Sequence, residues 1–551
     1  MDKQSILAIV LIALLWGLYF IITKPEHPQT RREGKGPVAE QRTDTTGKAA
    51  ESAVRLEVPA SGGKEQEIPI ETKKYSILLS NRGASIVGCD YRERKINLIV
   101  KRNPYGERGF LDFTIHFGDD EFLGGGPLEE VLWAVRREGD RRVVFSTDAK
   151  IDATPVTIEK VYDFSDESYG FVVEYRILNR GGAPLSFKNK KVVFSPAAIV
   201  GPTLDYTNTY NRLRGAYDID GKFKKVEKGN GSLFSCWGAS NDVPLKKEAG
   251  SVRWAGVMSR YFLVLMVPQK FSGTYVIWDN RKNRGFRTGM SVALGECGPG
   301  KEIRKTFRVY LGEKDKRKLA LVDKSIVDAA DVSSITEPIR NFVIWCLMGI
   351  NHFIGNLGWS IVIFSILTKI AFIPLTIKST ESMKKMQQLN PKLNELKIKY
   401  KDKPELLQQE TWKLFKEHKV NPMGGCFPLL LQFPFFIALY SALIDSIDLW
   451  RAPFILWMKD MSMPDTVATI AGFNLNILPV VMTATTFLAQ KLSTVDAGGQ
   501  QRVMMMIMPL MFIFIFWSMP SGLVLYWSLQ NIFQIAHQLV INYRTKEEKK
   551  G

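Results

Sequence analysis

Cysteine and histidine are scarce in this chain, with five of each in 551 residues. The cysteines (Cys89, Cys236, Cys297, Cys346 and Cys426) form no CxxC pair and show no metal-ligand spacing, so a structural zinc or iron–sulfur site has no framework. Three of them fall within one soluble stretch, which leaves room there for one disulfide at most. A Walker A loop, an HExxH helix and a GxSxG elbow are also missing, and with them the short signatures of nucleotide, metalloprotease and hydrolase chemistry. Residues 24–52 have no aromatic side chain and almost no large apolar one. Such a stretch cannot bury a core and reads as a flexible tether.

What is present divides in two. From about Val54 to Val332, charged and apolar residues alternate as in a soluble domain. From about Asn341 to Tyr543, long uncharged runs are rich in Phe, Leu, Ile, Met and Trp. The net charge of +18 suits anionic partners such as lipid head groups or ribosomal RNA, and basic cytoplasmic loops give membrane proteins the same bias.

The soluble half reads as a large all-β sandwich. Short β-branched and aromatic runs recur at Tyr75–Leu79, Arg142–Ser146, Phe171–Leu178, Lys191–Phe194, Tyr261–Val267, Thr274–Trp278 and Ile303–Leu311. Turn signals at Asn81-Arg-Gly, Asn179-Arg-Gly-Gly and Gly229-Asn-Gly231 separate them. No catalytic constellation stands out in it.

Before it, Ser5 to Ile22 is uncharged and closed by Trp16, Tyr19 and Phe20. It would rise about 27 Å as a helix, close to the roughly 30 Å hydrocarbon core. Without a small-x-small cleavage site it reads as an uncleaved anchor.

The expected layout, in numbers, is an anchor (1–22), a tether (23–53), a β-domain (54–332) and an amphipathic helix on the outer membrane face (333–358). A five-helix core follows, with spans at 359–376, 422–444, 473–490, 503–519 and 520–541. Between them lie a helical hairpin (377–421), an outer loop (445–472) and a short basic loop (491–502), and a basic tail (542–551) ends the chain. Lysines crowd the hairpin, from Lys378, Lys384 and Lys385 to Lys416 and Lys419, whereas the outer loop carries only Arg451 and Lys459 against four aspartates. Lysine-rich loops stay in the cytoplasm, so both termini are expected inside and the β-domain outside. Met383, Met386, Leu389 and Leu393 give the hairpin an apolar stripe.

Lys369 is the costly residue. About 13–15 Å of helix separates it from Trp359 on one side and from Lys378 on the other, and a lysine at that depth costs about 2.5 kcal/mol or more. No other span offers an acid to pair with it, so it is expected to face the bundle interior or a wet cavity that admits an anionic visitor. Ser365, Gln432, Thr483, Thr485, Thr486, Ser528, Gln530, Asn531 and Gln534 are polar groups that could share the cavity or fasten helices. Ser365 and Lys369 sit one helical turn apart, the spacing of a Ser/Lys hydrolase dyad, but a mid-helix serine has no free backbone amides to form an oxyanion hole. A solute transporter would call for inverted repeats or an acid–base relay, and neither is visible. A purely structural anchor leaves Lys369 unexplained.

Two long motifs carry a resemblance. Residues 421–440, NPMGGCFPLLLQFPFFIALY, and 520–526, PSGLVLY, are supported by Pro374-Leu-Thr376, Ala452-Pro-Phe454 and Asn390-Pro-Lys392. Through them the chain resembles the YidC/Oxa/Alb family of membrane protein insertases in its long Gram-negative form. The resemblance is dense over 358–543 and weaker in the β-domain. It implies a periplasmic β-domain of supersandwich type, a bacterial inner-membrane location and a five-helix groove open to the cytoplasm and lipid. The groove would be lined by Lys369, Ser365, Gln432, Tyr526 and Trp527. Lys369 stands where the family places an arginine, which keeps the charge but not the planar fork. Met383, Lys384, Lys385 and Met386 would lie in the loop that recruits clients. The implied partners are nascent membrane proteins, the Sec translocon, the ribosome and the lipid bilayer, with no cofactor, small-molecule substrate or enzymatic step.

Overall fold

The computed structural model describes residues 56–59, 63–99, 111–117, 128–188, 192–202, 213–227, 246–279, 286–330, 337–401, 403–418, 427–470, 473–493 and 509–548. The expected anchor and tether, the Gly229-Asn-Gly231 turn, Cys236, Cys426 and the loop at 494–502 lie outside them. Two compact units divide the chain after Ala330.

The first unit is built on a 14-stranded antiparallel sheet. Its longest strands follow a two-residue period. Gly170–Asn179 buries alternate side chains, and so does most of Thr154–Phe164. Phe262–Pro268 (FLVLMVP) is buried throughout, as a continuous apolar run requires. A second sheet of four strands runs from Glu67 to Asn97. Asn81-Arg-Gly turns there because Gly83 takes a positive φ of 67°. A Cβ on Gly83 would stand 2.5 Å from the Glu129 carbonyl oxygen.

Two expectations need correction. The strand expected to stop at Ser146 runs to Ile151 and pairs with Thr154–Phe164. Asp152 and Ala153, both with positive φ, form the tight hairpin turn between them, and the polar Thr147-Asp148 pair disguised the strand's second half. The unit is also not wholly β. A short helix, α1 (Lys316–Val322), follows the last long strand, capped by the Asp315 carboxylate accepting from the Arg317 amide at 2.7 Å. Cys89 and Cys297 are buried free thiols.

A buried polar knot joins the two sheets. Lys160, fully enclosed, donates to the carbonyls of Gly83 (3.0 Å), Ala84 (3.1 Å) and Asp112 (2.9 Å). Tyr162 donates to Ala84 O at 2.7 Å, and Arg287 forms a buried ion pair with Asp112. Beside it, burial and then the Arg287 charge hold the His116 imidazole down to about 3. Replacing Lys160 by Met strands the buried Gly83 and Asp112 carbonyls, while Ala84 O keeps Tyr162, and is expected to destabilise this domain by roughly 2–4 kcal/mol, read as a lowered melting transition of the full chain. His116 makes stability pH-dependent. The unfolded imidazole takes up a proton near pH 6.5 and the folded one only near pH 3. The His116 contribution to stability is therefore lost as pH falls between those values, by up to about 1.4 kcal/mol per unit, and the Glu129 carboxyl beside it, raised by burial to about 7, opposes that loss between about pH 7 and 4.5. His116→Gln is expected to flatten that slope in the same melting experiment.

The second unit is helical: α2 (Glu337–Ile354), α3 (Leu357–Lys399), α4 (Pro404–Glu417), α5 (Phe427–Asp445), α6 (Leu478–Ser493), α7 (509–516) and α8 (Ser521–Glu548). Gly355, with φ 71°, ends α2. Asn356 caps α3, accepting from the Trp359 amide at 3.1 Å. α3 is one helix of 43 residues through Pro374 and Pro391, so the expected span and first hairpin arm are continuous. No cap or glycine stands between Thr376 and Ser379 to stop it. The expected span at 473–490 begins too early, because Phe473–Asn476 is a strand paired with Thr466–Ile470. α6 starts only where the Asp465 carboxylate accepts from the amides of Ile477 (3.0 Å) and Leu478 (2.7 Å). Among the described helices, one segment, Leu357–Ile377, is long and apolar enough to cross a membrane by itself, and Gln432–Asp445 is a shorter apolar helix.

Candidate functional site

The apolar core of the helical unit is confined to one end. On α3 it takes Leu357, Ile361 and Phe364; on α5, Phe436, Leu439 and Leu443; on α8, Leu523, Val524 and Tyr526. α3 and α8 run away from this end and α5 runs toward it. Ser365 and Lys369, Gln432, and Gln530 and Gln534 therefore all lie on the same side of the core along the bundle.

The loop after α5 closes the apolar end. Asn356 donates to the Phe454 carbonyl at 3.2 Å, and the Phe454 ring sits so close to Gly358 that a Cβ there would stand 2.1 Å away. The amides of Ser521 and Gly522, at the start of α8, donate to the carbonyls of Met463 (2.7 Å) and Met461 (3.0 Å). The motifs Ala452-Pro-Phe454 and Pro520-Ser-Gly522 thus act together. They tie a loop across the helix ends and satisfy amides that would otherwise be orphaned.

Beyond the core, the helices are joined by polar contacts. Lys369, half-buried on α3, donates to Gln534 Oε1 on α8 at 2.9 Å, and no carboxylate among the described residues neutralises it. Gln530, one turn earlier on α8, donates to the Ser365 carbonyl (3.0 Å) and to Thr368 Oγ1 (3.2 Å). Tyr526, a further turn back, is buried, and its hydroxyl lies beside Thr368 and Gln432 without closing a hydrogen bond to either. Tyr526, Gln530, Gln534 and His537 form one stripe along α8. His537 stands near Lys369, its Nδ1 buried with no hydrogen-bond partner among the described residues.

The expected site residues divide accordingly. Lys369, Ser365, Gln432 and Tyr526 gather around this strip, although the Ser365 hydroxyl donates back to Ile361 O at 2.6 Å. Ser365 and Lys369 are committed to different partners, which gives a dyad no geometry. Trp527 turns elsewhere, its ring packed among Phe436 (5.2 Å), Phe516 (5.7 Å) and Phe512 (6.1 Å). Asn531 also leaves the strip, donating to Thr486 Oγ1 at 2.7 Å, where it fastens α8 to α6. Thr483 donates to Pro479 O at 2.7 Å, back along its own helix. Lys385 is exposed on α3 and Leu389 is buried, while the side chains of Met383, Lys384 and Met386 lie outside the described set. Thr368 and His537 are members that the sequence alone did not assign to the cavity. The spacing of His537, three residues after Gln534, was the available signal.

Residues 132–341 match the family described as "YidC periplasmic domain", and residues 349–549 match the one described as "60Kd inner membrane protein". The membrane protein insertase YidC of Pelobacter propionicus is 30% identical over 574 aligned positions, covering 98% of this chain and 99% of the relative. This chain belongs to the YidC family. The YidC of Leptospira interrogans is 33% identical over 438 positions, covering 71% of this chain and 69% of its own. A solved structure titled as an active YidC insertase with its first transmembrane domain resolved aligns at a TM-score of 0.35 and 17% identity, covering 88% of this chain and 94% of the other.

Gln530→Leu removes both contacts from α8 to α3 at the centre of the strip. It is expected to weaken the helical unit by about 0.6–2 kcal/mol, measured as earlier unfolding in a denaturing-detergent titration.

Proposed function

We propose that this protein is a membrane protein insertase working through a polar groove that contains Lys369, alone or with the Sec translocon. One observation carries the reading: a half-buried ammonium, held by an amide and, among the described residues, by no carboxylate, beneath an end that is packed apolar. A cation so placed attracts an anionic segment, and the amide that holds it gives way without leaving a buried charge behind.

Six membrane spans are part of this proposal, with both termini in the cytoplasm and the β-domain in the periplasm. The lysine-rich stretch around Lys378–Lys416 follows Lys369 along α3 and α4, so the positive-inside rule turns the polar end toward the cytoplasm and the sealed end outward. A nascent helix with a short polar or acidic leader enters from the cytoplasm. Gln432, Tyr526, Gln530 and Gln534 replace part of the leader's hydration, and Lys369 attracts its charge, lowering the desolvation barrier that lipid alone would impose. The membrane potential assists outward movement of the negative leader, and transfer of the apolar helix into lipid drives the last step.

The hairpin of α3 and α4, with Lys384, Lys385, Met383 and Met386, recruits the client, and the basic loops and tail contact the ribosome. No step forms or breaks a covalent bond, and none calls for a cofactor.

The test is insertion of a single-span client into vesicles holding the protein. Lys369→Arg is expected to retain activity. Lys369→Ala and Lys369→Glu are expected to lose roughly tenfold or more, about 1.4 kcal/mol, for clients with acidic leaders. Full activity of all three variants on every client would remove Lys369 from the mechanism.

A further inference from the structure

We propose that the two-stranded hairpin Thr466–Ile470/Phe473–Asn476 is an interfacial anchor that seats its apolar face in the outer lipid leaflet. The proposal rests on the reading that the helices cross the membrane. In the hairpin register Ala468 faces Leu475, and Thr469 faces Asn474. Opposed residues share a face and successive ones alternate, so Ala468, Ile470 and Leu475 lie on one side and Thr469 and Asn474 on the other. Thr469 donates to Asn474 Oδ1 at 2.7 Å, which satisfies the polar side. The apolar side is open: Ile470 is 66% exposed and Leu475 42%.

The hairpin is held in place from below. Asn476 donates to the Trp517 carbonyl at 2.6 Å, and the Trp517 indole donates to Asn474 O at 3.1 Å. Asp465 ties its root to the start of α6 and accepts from the Trp457 indole at 3.4 Å. A second apolar projection adjoins Trp457. Leu456 is 79% exposed and stands at φ 55°, a conformation that leucine adopts only under constraint.

Lipid is the occupant that these observations favour. No charged residue occurs from Thr466 to Asn476. An isolated two-stranded hairpin is marginal in water and needs another surface to cover it. The helix that follows the hairpin, α6, exposes Val480 and Val481 in its first turn, and the hairpin is pinned to the residue after α7, on which Phe514 is also exposed. Tryptophans at this level, Trp517 and Trp457, match the aromatic belt of a membrane interface. An amphipathic, uncharged element at the end of a membrane helix buries its apolar side at the boundary of head groups and acyl chains.

The test uses the full chain with its native cysteines replaced by serine, reconstituted in phosphatidylethanolamine–phosphatidylglycerol vesicles. Nitroxide labels are placed singly at Ile470→Cys, Thr469→Cys and Val480→Cys, and collisions with oxygen and with a water-soluble nickel chelate are measured. The proposal expects Ile470→Cys to collide several-fold more with oxygen than with nickel, and Thr469→Cys to show the reverse. If Val480→Cys reports lipid while Ile470→Cys reports water, or is shielded from both reagents, the anchor is overturned and the membrane reading stands. If Val480→Cys also reports water, both fail together.

Discussion

An ammonium group inside a helical unit, with no carboxylate among the described residues to neutralise it, is the constraint around which this unit is organised. Taking an ammonium out of water is costly unless polar groups replace its hydration, so its surroundings must be polar or wet. Gln534 supplies one hydrogen bond to Lys369. Gln530, Thr368 and the Ser365 carbonyl extend a polar strip beside it. An acidic partner would have neutralised the lysine's charge. An amide partner holds it while leaving its charge in place.

The polar strip is sealed at one end of the helical unit. The Phe454 loop supplies that seal by crossing the helix ends, filling the space against Gly358 and accepting from the first amides of α8. Apolar packing and amide capping therefore fall at one end, and charge and hydrogen-bonding capacity at the other.

Much of this was legible in the residues. Lys369 announces itself as a charge in an otherwise apolar run, and the two-residue periods of the β-domain mark its long strands. Other features were hidden for identifiable reasons. The Phe473–Asn476 strand is as apolar as the helix that follows, and only Asp465, from across the hairpin, sets where the helix begins. Arg142–Ile151 was cut short because its second half is polar. Gln530, Asn531 and Gln534 look alike in sequence, but Asn531 faces α6 whereas the two glutamines face α3, a difference of helical phase. Trp527, adjacent to Tyr526, belongs to the aromatic packing for the same reason.

Site-specific photo-crosslinking from α8 to a stalled nascent client tests the central claim most directly. With the probe at Gln534, adducts are expected to the client's acidic leading segment. With the probe at Asn531, which faces α6, none are expected. Equal adducts from both positions, or adducts from Asn531 alone, would contradict the claim that clients enter along the face of α8 that holds Lys369.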